Sequence, residues 1–95
     1  MFTAIALHYA VPEHEATFLV YMGRVIAATR DAPGLLEFRS CHDTQSGALA
    51  GFSRWESEAA FRAALATIGS LATERRPEWS AAPDQLLTLV EASES

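Results

Sequence analysis

The amino-acid sequence predicts a single α+β domain whose strands and helices follow one another in the order βαββαβ. Three observations support this fold class. In four segments successive side chains alternate between two faces, as in half-buried strands. Two longer segments carry apolar residues at helical spacing. Proline, glycine or serine stands at most of the boundaries between segments. The chain has 95 residues, the size of one domain, so we expect residues 1–95 to share one core.

The first part of the chain carries the first strand and the first helix. Residues 2–9 alternate between two faces and are predicted as a strand. Pro12 then opens a helix, because its fixed φ suits a first helical turn. Apolar residues at three- and four-residue spacing extend this helix over residues 13–30. Pro33 and Gly34 end it, since the residue before a proline avoids the α region.

The middle of the chain predicts a hairpin and a second helix. Residues 35–42 and 48–55 are expected to be the second and third strands, joined by the short polar turn 43–47. Ser57 is placed to cap the second helix with its hydroxyl. Apolar residues at helical spacing continue this helix until about Gly69, or one turn later.

The last part of the chain is less regular in pattern. Residues 72–84 contain two arginines, two prolines and Trp79, and we expect an irregular loop across one end of the sheet. Residues 85–91 alternate again and are predicted as the fourth strand. Residues 92–95 are expected to be a frayed tail.

This order of elements corresponds to the ferredoxin-like fold, a four-stranded antiparallel sheet with both helices on one face. The helices leave the other face of the sheet open. Strands one, three and four nevertheless carry apolar side chains on both faces. A large exposed apolar face is rare in soluble monomers, and the same face of an identical chain is its simplest cover. We therefore predict a homodimer.

Charge and cysteine content restrict the partners and the compartment. The formal net charge is -5 and the seven basic residues are scattered, which argues against a nucleic-acid partner. The single cysteine, Cys41, has no partner for an internal disulfide, as is usual in reducing compartments. We find no pattern of a signal peptide or of a membrane span, so we expect a cytoplasmic protein that does not engage a membrane.

The most distinctive segment is RWESEAAF at residues 54–61, in which Trp55 ends a strand and Ser57 caps the next helix. Together with Pro12 and the Pro33-Gly34 pair, it resembles the antibiotic biosynthesis monooxygenase family of dimeric α+β barrels. The resemblance implies a homodimeric, cofactor-independent monooxygenase. Its expected substrate is a small aromatic, quinone-like or polyketide-derived compound bound between the sheet and the helices.

Two positions depart from the aromatic-polyketide branch of that family. An asparagine of that branch corresponds to Gly51 here, and a tyrosine of that branch corresponds to Phe61, which lacks the hydroxyl. That branch also has an arginine beyond the second helix, and of its residues only Trp55 and Arg75 carry over. The haem-degrading branch needs a histidine late in or after the second helix, and no histidine follows His42.

Three residues are candidates for the chemistry. Cofactor-free oxygenation needs a base to form the substrate anion, and His8 titrates near physiological pH at the end of the first strand. Trp55 is expected to pack on the substrate and to donate its indole N–H to a developing oxyanion. Arg75, or its neighbour Arg76, supplies a cation. Each has a structural alternative: a strand-end histidine, a core tryptophan and a solvated loop charge.

Four further side chains are predicted to bind the substrate: Phe18, Met22, Phe61 and Trp79. Helical spacing is equally typical of plain core residues. Trp79 either closes the pocket or pins the loop to the core, and we favour the second. Cys41 and His42 are adjacent on a strand and point to opposite faces, so we interpret them as a strand end and not as a catalytic pair or metal site.

A second functional class stays open from the sequence. Gly51 and Phe61 lack the polar groups that the aromatic-polyketide branch has at the corresponding positions. The alternative is therefore a non-catalytic homodimeric binding module that carries or senses an apolar metabolite in the same pocket.

Overall fold

The computed structural model describes residues 1–92, which form a four-stranded antiparallel sheet in the order β2-β3-β1-β4. Two helices pack on one face of this sheet, and the predicted ferredoxin-like fold is confirmed. The elements are β1 (Phe2–Ala10), α1 (Glu15–Thr29), β2 (Leu35–His42), β3 (Leu49–Trp55), α2 (Glu58–Leu71) and β4 (Ser80–Val90). Short 3-10 turns at Pro12–His14, Ala72–Glu74 and Pro77–Trp79 link them.

The local signals at the helix starts act as expected. Pro12 stands at the start of the first 3-10 turn, and α1 follows directly. The Ser57 hydroxyl accepts a hydrogen bond from the backbone N–H of Ala60 at 3.1 Å, which caps α2. This bond satisfies one of the donors that a helix start leaves without an internal partner.

Gly34 is required by the packing of α2 on the turn before β2. Its φ is +82°, in the left-handed region, and a Cβ at this position would lie 2.6 Å from the Cβ of Ala60. The carbonyl of Gly34 also accepts a hydrogen bond from the N–H of Glu56 at 2.8 Å. Only glycine combines this backbone conformation with so close an approach.

The prediction of an irregular loop over residues 72–84 is wrong in its second half. β4 begins at Ser80 and includes Pro83. A proline fits here because β4 is at the edge of the sheet that residues 1–92 form, so the missing N–H leaves no gap between two strands. Of the predicted tail, residues 93–95 lie outside the described residues.

The core lies between the sheet and the helices in two clusters. One joins β1 and β3 to α2 and consists of Phe2, Ala4, Trp55, Phe61 and Ala64. The other joins α1 to β3 and consists of Phe18, Tyr21, Met22, Val25 and Leu49. Burial of these side chains is the main stabilising contribution of the fold. The space between the two clusters is not filled.

The second face of the sheet is open and apolar. Ile5 of β1 lies directly opposite Phe52 of β3 and Leu87 of β4, so these three side chains form one row. Leu87 and Leu89 are 51% and 53% exposed. Among the described residues, no helix is both long and apolar enough to cross a membrane.

Candidate functional site

A cavity of about 330 Å³ lies between the helix-covered face of the sheet and the two helices. This volume is at the lower end of the range of about 300 to 1,000 Å³ that small-molecule sites occupy. The cavity exists because small residues occupy the central strands where it opens. They are Ala4 and Ala6 on β1 and Gly51 and Ser53 on β3.

Gly51 determines how deep the cavity is. A Cβ at this position would lie 3.7 Å from the ring of Phe38 and 3.9 Å from the methyl group of Met22, both of which line the cavity. These are ordinary contact distances for a methyl group. A longer side chain at residue 51 would occupy the space that a ligand needs. The apolar wall opposite is provided by α2, including Phe61.

One end of the cavity is polar and holds His8, Arg75 and Asp84. Arg75 donates to both carboxylate oxygens of Asp84, with Nη1 2.6 Å from Oδ2 and Nη2 3.1 Å from Oδ1. Nδ1 of His8 lies 3.1 Å from the same Oδ2. This second approach lacks the alignment of a full hydrogen bond, since Nδ1 is buried without an aligned partner. Its attraction to Asp84 is therefore mainly electrostatic.

A β-bulge brings Asp84 to His8. Leu7 pairs with Gln85 and Tyr9 with Ala82, so the two residues Pro83 and Asp84 of β4 lie opposite the single residue His8 of β1. Bulges of this kind redirect side chains and occur often beside active sites. Pro83 favours the bulge because it lacks the N–H that a regular ladder uses.

Aromatic side chains hold Arg75 in place. Its guanidinium carbon lies 4.9 Å from the ring centre of Phe18 and 5.9 Å from that of Tyr21, within the range of cation–π attraction. The ring of Trp79 packs on the same two residues at 5.8 and 6.2 Å. The backbone N–H of Val11 also donates to the Trp79 carbonyl at 2.8 Å. The short turn 77–79 is thus fixed against α1.

The three polar groups shift one another's protonation. Burial lowers the pKa of His8 below its ordinary value of 6.5, although the nearby Asp84 carboxylate opposes this change. Burial acts to raise the pKa of Asp84, but the hydrogen bonds from Arg75 and the attraction of His8 together lower it. At neutral pH the site therefore holds a neutral imidazole next to a carboxylate that is ion-paired with arginine.

The structure brings together most of the side chains predicted as site residues. His8 and Arg75 meet at the polar end, and Met22 and Phe61 line the apolar part. Phe18 is fully buried and supports the polar end, with its ring 5.0 Å from that of His8. Trp79 packs behind it and does not line the cavity.

Trp55 is not in the cavity. It is fully buried, packs on Phe61 with ring centres 5.9 Å apart, and donates its indole N–H to the Ser53 hydroxyl at 2.9 Å. Its partners Ser53 and Phe61 do line the cavity. Cys41 is exposed, and His42 pairs with Glu15 on α1 at 2.8 Å and does not line the cavity.

The sequence analysis missed Asp84, Tyr21 and Phe38. Asp84 falls in the predicted loop, although a proline such as Pro83 beside an alternating segment is compatible with an edge strand or a bulge. Tyr21 follows Phe18 by three residues and shares its face of α1. Phe38 lies in the correctly predicted second strand, and nothing in its local pattern marked it as a cavity residue.

Comparisons with known proteins support this assignment of fold and family. The family model described as "Antibiotic biosynthesis monooxygenase" matches residues 1–85. No curated protein matches the chain at a significant level. Among solved structures, Rv0793 from Mycobacterium tuberculosis is 19% identical, with a TM-score of 0.82 and coverage of 99% of this chain and 97% of that one.

Two further structural neighbours were solved with bound compounds. The monooxygenase ActVA-Orf6 of Streptomyces coelicolor, in complex with nanaomycin D, is 19% identical, with a TM-score of 0.71 and coverage of 99% of this chain and 89% of that one. The haem degrader MhuD of Mycobacterium tuberculosis, with two hemes in its active site, is 16% identical, with a TM-score of 0.76 and coverage of 100% and 99%. At such identities these neighbours establish the fold.

Proposed function

The chain belongs to the antibiotic biosynthesis monooxygenase family, and from this premise we propose that it oxygenates a small aromatic, quinone-like or polyketide-derived compound without a cofactor. The observation that carries the proposal is the polar end of the cavity. There a mostly buried imidazole with a lowered pKa lies beside Asp84 at the end of a largely apolar space. A neutral imidazole is the form that accepts a proton from a substrate hydroxyl or activated C–H group.

The proposed reaction needs only the substrate and dioxygen. His8 takes a proton from an activated CH₂ group, and the resulting carbanion transfers one electron to dioxygen. The radical pair combines to a peroxide, which the imidazolium protonates. Loss of the second C–H proton and of hydroxide then leaves a carbonyl group and water. One oxygen atom enters the substrate, the other leaves as water, and the substrate supplies all four electrons.

Each polar residue has a distinct part in this scheme. Asp84 lies on the Nδ1 side of the His8 ring, so it orients the imidazole and leaves Nε2 for the substrate proton. It also stabilises the imidazolium that forms. Arg75 acts through Asp84 by holding the carboxylate in place with two hydrogen bonds. Trp55 acts through Ser53, whose hydroxyl it orients at the cavity wall.

The apolar part of the cavity supports the substrate class. Its volume of about 330 Å³ suits a compound of a few fused rings better than a porphyrin. Met22, Phe38 and Phe61 supply flat or polarisable contacts of the kind that aromatic ligands prefer. Nanaomycin D in the ActVA-Orf6 complex is a ligand of this general class, and the hemes of MhuD are not.

We also propose that the protein is a cytoplasmic homodimer. The row of Phe52, Ile5 and Leu87 on the open face is apolar, and an isologous contact with a second copy would bury it on both chains. Exposed Cys41 is compatible with a reducing compartment.

The decisive experiment measures oxygen uptake by the metal-free protein with a panel of hydroquinols and anthrone-like compounds. We expect one dioxygen consumed per carbonyl formed, and a loss of at least about 100-fold in kcat for His8→Gln. His42→Gln, which alters the exposed pair with Glu15, is the control and should keep full activity. Tight binding of the panel compounds with no uptake would establish the non-catalytic binding module and overturn the enzyme.

A further inference from the structure

We propose that Asp84 sets the charge preference of the cavity, so that the site selects uncharged hydroxyarenes and rejects carboxylates, sulfonates and phosphates. The inference deepens the proposed function and rests on it for the location of the ligand. It concerns which compounds enter, and so it is separable from whether they are oxygenated.

The charges at the cavity are few and cancel. Of the cavity-lining residues within 1–92, Arg75 is the only one with a permanent positive charge and Asp84 the only one with a negative charge. His8 is neutral near pH 7 because burial lowers its pKa. The lowered pKa of Asp84 keeps its carboxylate ionised throughout the physiological range. A ligand therefore meets a site with no net charge.

The geometry leaves Arg75 without a free pair of terminal N–H donors for an anionic ligand. Both terminal nitrogens bond the two oxygens of Asp84, and Nη2 also lies 3.5 Å from the Ser80 hydroxyl. The guanidinium carbon also lies over the rings of Phe18 and Tyr21. A bidentate pair of this kind uses the fork that would otherwise recognise a ligand carboxylate. An incoming carboxylate would have to displace Asp84 from a partly buried pair to make the same two hydrogen bonds.

Negative charge outside the cavity also disfavours an anionic ligand. Glu74 lies close enough to affect the protonation of Tyr21, and its own charge is paired with Arg24 at 2.9 Å. The chain as a whole carries a net charge of -5. An anionic ligand would approach against this negative potential and then lose its hydration beside the carboxylate of Asp84.

A neutral hydroxyarene meets none of these penalties. Its rings fit the apolar wall, and its hydroxyl can donate to His8. The negative charge then appears only when His8 takes the proton, and it forms next to the new imidazolium. The ligand thus binds in its uncharged form, and the reactive anion forms only after binding.

The test compares the binding of 2-naphthol and 2-naphthoate by titration calorimetry near neutral pH. For the unaltered protein we expect 2-naphthol to bind at least about tenfold more tightly. In Asp84→Asn the guanidinium is released, and we expect 2-naphthoate to gain at least about tenfold in affinity. Glu58→Gln makes the same charge change at the exposed Arg62 pair on α2 and should leave the preference unaltered.

Arg75→Gln is a second variant that moves the preference in the other direction. It removes the arginine partner of Asp84 and leaves its negative charge uncompensated beside the neutral His8. We therefore expect the affinity for 2-naphthoate to fall relative to that for 2-naphthol. An unchanged ratio in both variants overturns the inference, as does equal binding of the two compounds, or binding of neither, to the unaltered protein. Selective binding of 2-naphthol without oxygen uptake for the panel would retain the inference and contradict only the proposed enzyme activity.

Discussion

Nδ1 of His8 lies 3.1 Å from Oδ2 of Asp84, and the two residues face each other across the bulge that Pro83 introduces into β4. They are separated by most of the chain, and neither lies at a conspicuous motif. Hydrogen bonds of catalytic groups are often imperfectly aligned before the substrate binds. The distance is short enough for the bond to align with a small rotation of the imidazole.

The first prediction concerns pH. Burial lowers the pKa of His8, and the groups that face it are Asp84 and Arg75, the first raising its pKa and the second lowering it. Because the neutral imidazole is the active form, kcat/KM should rise with pH through a midpoint below 6.5 and then stay level. An NMR titration of the His8 ring protons should give the same midpoint, and a midpoint above 6.5 would contradict this assignment.

The same titration in Asp84→Asn isolates the carboxylate. Without Asp84 the charge that still acts on the ring within residues 1–92 is that of Arg75, which lowers the pKa of His8. We therefore expect the midpoint to move to lower pH than in the unaltered protein. A shift of the His8 midpoint to higher pH would show that the substitution affects the pKa of His8 more through the burial of its ring than through the charge beside it.

The second prediction separates the structural from the catalytic role of Trp55. Trp55→Phe removes the indole N–H that donates to Ser53 and some of the ring packed on Phe61. We expect the free energy of unfolding in urea to fall by about 2 kcal/mol, while the affinity for 2-naphthol changes less than about twofold. A large loss of kcat with unchanged stability would mean that the indole touches the reacting atoms.

The third prediction uses two glycines as a matched pair. Gly34→Ala forces a Cβ into a left-handed conformation 2.6 Å from the Ala60 Cβ, so we expect a loss of at least about 2 kcal/mol in unfolding free energy. At Gly23, inside α1, an added Cβ meets nothing within 4 Å. Gly23→Ala should therefore stabilise the protein by about 0.5 to 1 kcal/mol. Equal effects at the two sites would contradict the packing of α2 on the turn.

The fourth prediction concerns the open face of the sheet. Light scattering of the unaltered protein should give twice the 10.3 kDa mass of the chain. Leu87→Asp places a charge in the apolar row and should shift the mass towards that of the monomer. Val20→Asp, at a residue that is 67% exposed on α1, is the control and should leave the mass unchanged. A monomeric unaltered protein at micromolar concentration would contradict the dimer.

Much of the fold could be predicted from local patterns. The boundaries of the second strand, the Ser57 cap and the break at Pro33-Gly34 follow from backbone preferences that act over a few residues. The first part of β4 was not predicted because proline usually interrupts a strand. Pro83 is tolerated in β4 because this strand is at the edge of the sheet. That position is set by the strand order, which no local segment specifies.

The candidate site was predictable only in part, for a related reason. His8 and Met22 could be proposed because they lie on elements with a clear inward face. Asp84 reaches His8 through a shift in strand pairing, and such a shift has no periodic signature in the sequence. The placement of Trp55 depends on whether its ring points towards the cavity or into the cluster with Phe61, which packing of distant residues decides.

The strand order β2-β3-β1-β4 has a consequence for folding during synthesis. β1 is the first strand to be made, yet one of its two neighbours, β4, is the last of the four. Until β4 has left the ribosome, β1 presents an unpaired edge that can associate with other chains. The step that pairs this edge also brings Asp84 to His8, so the polar end of the cavity is assembled only when the sheet is complete.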